Sequence, residues 1–72
     1  MEAGLERTSL QNQLKKNDIK LSYCEISDEI IIDELVIYFV FGMIGIYNTT
    51  TGERNLFNSE EKCVKKLIYL MQ

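Results

Sequence analysis

The side chains with the most chemistry to offer are two thiols, Cys24 and Cys63, in a 72-residue chain that contains no histidine. A cysteine becomes a catalytic nucleophile when a neighbouring imidazole or cation lowers its pKa or takes its proton. Neither cysteine has an imidazole to serve it, and the absence of histidine also removes the commonest general base. The two thiols stand 39 positions apart, with no CxxC pair, so they cannot close a zinc site. Nothing marks the chain as secreted, and they read as isolated thiols of a cytosolic protein rather than as a structural disulfide.

Other catalytic inventories fail similarly. The carboxylate pairs Asp28-Glu29 and Asp33-Glu34 are adjacent acids on short loops, an arrangement that reads as solvated charge rather than as an acid/base couple. No serine lies in a nucleophile elbow. Gly4, Gly42, Gly45 and Gly52 are scattered and match neither a P-loop nor a dinucleotide fingerprint. The expectation is a protein with no enzymatic activity and no cofactor, which acts by binding another macromolecule.

Charge indicates where. The chain has 11 acids and 8 bases, a net charge of −3. Between Glu25 and Glu34 stand Glu25, Asp28, Glu29, Asp33 and Glu34 with no base among them, whereas the bases outnumber the acids elsewhere. One reading of this block is protection of a sheet edge against aggregation. The other is an acidic patch that steers and docks a basic protein partner, with Tyr23 and Tyr38 as amphipathic anchors. Nucleic acid is a poor partner for this composition, because a binder needs a basic footprint. Lys62, Lys65 and Lys66 fit the solvated face of a helix better.

The elements that must position these groups follow from periodicity. Residues 5–16 read as a helix, with Leu10 and Leu14 one turn apart, Thr8 and Gln11 as a capping box, and Lys15 and Lys16 at the C-terminal end. Ile19 to Tyr23 alternates as a half-buried strand. Glu29 to Phe41 carries the strongest β pattern, as one strand bent at Asp33-Glu34 or as two. Gly42 permits a reversal, Met43 to Tyr47 is a further strand with Gly45 marking a close backbone approach, and Thr49 to Gly52 is a hairpin turn. A C-terminal helix follows, capped by Asn58 or Ser59 with Glu61 as capping-box partner, and with Cys63, Val64, Leu67, Ile68 and Met71 as its apolar face. The expected fold is a single α+β domain over 1–72: a helix, a three- to four-stranded antiparallel meander, and a C-terminal helix packed on one sheet face.

The uncharged run Leu35 to Tyr47 is too short for a spanning helix, which needs about 20 apolar residues, so no membrane segment is expected. The polar Met1 to Asn17 stretch has no apolar core of a signal peptide, and the expected location is cytoplasmic. A chain this small buries only about 60% of the surface it exposes when unfolded. Val36 to Phe41 offers apolar groups to both faces of a strand, so homodimerisation through the uncovered face is a further expectation.

Gly42-Met43-Ile44-Gly45-Ile46-Tyr47, Thr51-Gly52-Glu53-Arg54 and Leu56-Phe57-Asn58-Ser59-Glu60-Glu61-Lys62-Cys63 together resemble the C-terminal part of small bacterial immunity proteins, which neutralise polymorphic or contact-dependent toxins. Ile44 stands where those proteins often place tryptophan. The resemblance implies stoichiometric inhibition. Glu25, Asp28, Glu29, Asp33 and Glu34 would pair with the lysines and arginines of a basic, nuclease-like toxin and mask its active or substrate-binding surface. Two alternatives share the binding chemistry: a phage-encoded inhibitor of a host defence nuclease, and a small assembly subunit that dimerises through its sheet.

Overall fold

The computed structural model describes residues 2–71, in the order α1 (Glu2–Lys16), β1 (Ser22–Cys24), β2 (Glu29–Ile32), β3 (Leu35–Val40), β4 (Met43–Asn48), β5 (Arg54–Phe57) and α2 (Glu60–Leu70). The strands form one antiparallel meander in the order β1-β2-β3-β4-β5. The architecture is α+β as the periodicity predicts, with five strands rather than three or four. The extra strand arises because Asp33-Glu34 is a full reversal, with Ile32 paired to Leu35 across it, and not a bend. Asp33 takes φ 52°, a left-handed conformation that aspartate tolerates better than most residues.

Each helix boundary has a local cause. α1 stops without glycine or proline: Asp18 adopts φ 60°, its N–H donates to Lys15 O at 3.0 Å, and the Ile19 N–H donates to Leu14 O at 3.0 Å. This is the paired closure of a Schellman end, with Asp18 at the position glycine usually holds. Leu14 and Ile19, the two residues such a motif brings into apolar contact, are both buried. At the other end α1 begins at Glu2, so Thr8 lies inside the helix rather than at its cap. The α2 cap is Ser59, whose Oγ accepts from the Lys62 N–H at 3.2 Å. The Asn58–Glu61 capping box is therefore not the one used.

One face of the sheet meets the helices. Ile30, Ile32, Leu35, Ile37 and Ile46 are buried against Leu10 and Leu14 of α1 and Cys63, Val64 and Leu67 of α2. Each such aliphatic side chain contributes about 1.5–3 kcal/mol on leaving water. Met71 lies past the end of α2 and is exposed, so it extends the apolar face less than its spacing suggests. The helices are also joined by polar contacts, as Ser9 Oγ and Gln13 Nε2 both donate to Glu60 Oε1, at 3.0 and 2.6 Å. No helix among the described residues is long and apolar enough to cross a membrane.

Candidate protein-interaction surfaces

The meander sends alternate turns to opposite ends of the sheet. The β1–β2 turn (25–28) and the two-residue β3–β4 reversal (Phe41-Gly42) share one end. The β2–β3 reversal (Asp33-Glu34) and the β4–β5 turn share the other, where Thr49 donates to Glu34 O through its N–H at 3.0 Å and its hydroxyl at 2.8 Å. The acid block, contiguous in sequence, is thereby divided. Glu25, Asp28 and Glu29 stand at the first end, and Asp33 and Glu34 at the second. The four residues of β2 separate the groups by about 13 Å at ~3.3 Å per residue. That exceeds the Debye length of about 8 Å at physiological salt, so the groups act as separate patches.

The first end combines charge with exposed apolar surface. Ile26 and Phe41 are 99% and 98% exposed, at the tips of two turns that point the same way. Tyr23 belongs to this end as well, with its hydroxyl donating to Asp28 Oδ1 at 2.5 Å, and Ser27 Oγ donates to Glu29 Oε1 at 3.0 Å. Phe41 has φ 49° and Gly42 φ 74°. A type I′ two-residue hairpin, whose twist matches that of the strands, needs positive φ at both central positions, and Asn-Gly is the favoured pair. Here an aromatic occupies the first position.

At the second end, Asp33 and Glu34 line a shallow hollow with Leu35, Asn48, Leu70 and Met71. Asn48 organises the neighbouring turn, its Oδ1 accepting from the N–H groups of Thr50 and Thr51 at 2.9 and 3.1 Å.

Tyr38 sits apart from both ends. It lies on the sheet face opposite the helices, with its ring directly over Gly45 of the paired strand. This second face is largely apolar. One row across it holds Cys24, Glu29, Tyr38, Gly45 and Leu56, and the next Ser22, Ile31, Val36, Tyr47 and Arg54, by the strand register. Ile31 is 39% and Leu56 53% exposed, and the Arg54 guanidinium lies over the Tyr47 ring at 5.1 Å.

No protein-family model, curated protein or solved structure matches the chain. The functional reading therefore rests on the surfaces themselves.

Both cysteines are free. Hydrogen bonding from the Ser27 side chain and backbone lowers the pKa of Cys24 below the ordinary thiol value. Burial, with a smaller effect from the charge of Glu60, pushes the Cys63 thiol up to about 12. No group of three or more His, Cys, Asp or Glu among the described residues could hold a metal ion. Lys65 lies 3.9 Å from Glu61, and Lys66 sits over the Tyr69 ring at 5.2 Å, so two of the three α2 lysines engage their own helix. Residue types alone did not point to Ile26 and Phe41, because a lone apolar residue beside a turn looks like strand core until the turn is placed.

Proposed function

We propose that the chain is a non-catalytic, protein-binding inhibitor that docks a basic, nuclease-like toxin through the sheet end formed by the 25–28 turn and the Phe41-Gly42 reversal. The observation that carries this reading is Phe41, fully exposed and in a left-handed conformation. Leaving a phenylalanine in water forfeits about 1.5–3 kcal/mol of burial. A non-glycine residue in that backbone region costs a further ~1–2 kcal/mol. A turn that met only solvent has cheaper solutions, so the residue is best explained by a partner that covers it.

In the proposed complex, Phe41 and Ile26 enter apolar recesses of the partner. Glu25, Asp28 and Glu29 around them pair with its lysines or arginines, and Tyr23 adds an amphipathic edge. Acidic side chains arrayed beside an apolar anchor would occupy the surface on which a nuclease holds phosphate, accelerating encounter and rejecting acidic partners. Asp33 and Glu34, at the far end, would make no direct contact. The immunity role in particular is supported by the resemblance carried by residues 42–70.

The test uses the intact chain and two variants, Phe41→Asn and the pair Glu25→Lys with Glu29→Lys, each immobilised and exposed to lysate of the native host. A captured protein would then be purified and its nuclease activity titrated. The expected result is one-to-one inhibition by the wild type, weakened at least about tenfold by Phe41→Asn, with a flatter salt dependence for the charge reversals. A captured protein that binds all three equally, or whose nuclease activity is unaffected, would sink the proposal.

A further inference from the structure

We infer that the sheet face opposite the helices is the interface of a homodimer, two copies packing face to face about a twofold axis that runs between β3 and β4. This inference does not rest on the inhibitor reading; the two share Glu29, which stands where the sheet end meets this face.

The face has the composition of a core. Val36, Tyr38 and Tyr47 occupy its middle and Val40 its end, all partly buried although none of the described elements packs on this face. Tyr38 makes that middle flat. Its ring occupies the space a side chain would fill at Gly45, since a Cβ built there would fall 2.2 Å from Tyr38 Cζ. Flat, charge-free sheet centres are suited to stacking on another sheet about 10 Å away.

The occupant is read from charge, and the strength of the contact from area. The face carries one acid and one base within its two rows, Glu29 on β2 and Arg54 on β5. They lie on opposite sides of the β3–β4 midline. A twofold axis along that midline, inclined to the strands so as to exchange the two positions, sets Glu29 of each copy against Arg54 of the other. A twofold interface must be self-complementary, and a face with one charge of each sign, symmetrically placed, satisfies that condition without help from another protein. A basic or acidic partner would find no net charge to meet. Such an axis superposes β2 to β5, of four, six, six and four residues, which at ~3.3 Å rise and ~4.8 Å spacing give a face of roughly 320 Å². Two such faces together bury roughly 640 Å², below the about 1,000 Å² of a stable specific interface, so a weak, reversible dimer with a Kd on the order of 100 μM is expected.

Sedimentation equilibrium of the full chain tests this. At roughly 1 mM, well above that Kd, the wild type should approach twice the chain mass. Val36→Lys should be monomeric, with unchanged circular dichroism and a cooperative melt. The charge pair gives a check that misfolding cannot imitate: Glu29→Arg and Arg54→Glu should each weaken the dimer, and the double exchange should restore it. A monomeric wild type at that concentration would overturn the inference, whether or not the chain then binds lipid vesicles or another protein. So would a dimer abolished by Phe41→Asn but unaffected by Val36→Lys, which would place the contact at the sheet end. A double exchange that fails to recover the dimer would overturn the proposed axis.

Discussion

Tyr38 and Gly45 face each other across β3 and β4, and the tyrosine ring fills the place of the side chain glycine lacks. Only glycine is compatible with that ring position. Gly45→Ala should therefore destabilise the fold by about 1–3 kcal/mol, as overpacking does. In a Tyr38→Ala background the same change should cost little or nothing, because the clash has gone and alanine is favoured over glycine in a strand. Urea denaturation of the four members of this cycle measures the coupling, and additive losses would show that the ring does not constrain position 45.

Phe41 should trade stability for binding. Phe41→Asn places the favoured residue at a positive-φ hairpin position and removes an exposed aromatic, so the midpoint of urea unfolding should rise by the equivalent of about 1 kcal/mol. Partner affinity should fall in the same protein. A variant that loses stability would show that Phe41 packs in the folded state.

The two thiols should separate kinetically. With its pKa lowered by Ser27, Cys24 should react with an aromatic disulfide reagent near neutral pH in the folded chain. Cys63, buried and pushed up to about 12, should react only on unfolding. Equal rates without denaturant would contradict the burial of Cys63.

The same thiol sets an alkaline limit. Its ordinary pKa is 9.0 and its folded value about 12, so between these pH values the unfolded chain releases a proton that the folded chain holds. Stability from this group is complete below about pH 9 and declines as pH rises toward 12. Cys63→Ala lowers stability at neutral pH through a cavity, but its stability should fall less steeply over that window. Identical slopes for both proteins would reject the assignment.

Core and cap should respond on different scales. Leu67→Ala, at a fully buried α2 position, should cost about 2–5 kcal/mol. Ser59→Ala should cost about 1 kcal/mol through the lost bond to the Lys62 N–H, whereas Asn58→Ala should be nearly neutral. Chemical denaturation of the three variants distinguishes the capping residue directly.

How much was legible in the sequence can be judged from particular residues. The 3.6-residue spacing of Cys63, Val64 and Leu67 and the one-turn spacing of Leu10 and Leu14 identify side chains that are buried. Ile30-Ile31-Ile32 carries no such signal: successive strand residues point to opposite faces, and only the structure shows that Ile30 and Ile32 are buried and Ile31 is exposed. Reversals were harder to read. Asp18, Asp33 and Phe41 all adopt positive φ without the glycine that usually marks it, so Glu29 to Phe41 reads equally as one bent strand or two, although the pattern over 5–16 ends α1 where the structure does.

Local residue pattern by itself therefore determined the element types, the buried helix positions and the α+β class, since each depends on neighbours within a few positions. It also placed five acids together in Glu25–Glu34. Only the tertiary structure decided what that grouping means. The meander carries successive turns to opposite ends, so the acids separate beyond the screening length. The same alternation brings Ile26 and Phe41, 15 positions apart, to one end beside Glu25, Asp28 and Glu29. Adjacency along a chain and adjacency on a surface differ wherever an antiparallel sheet intervenes, because each strand moves the chain a full sheet depth before it turns.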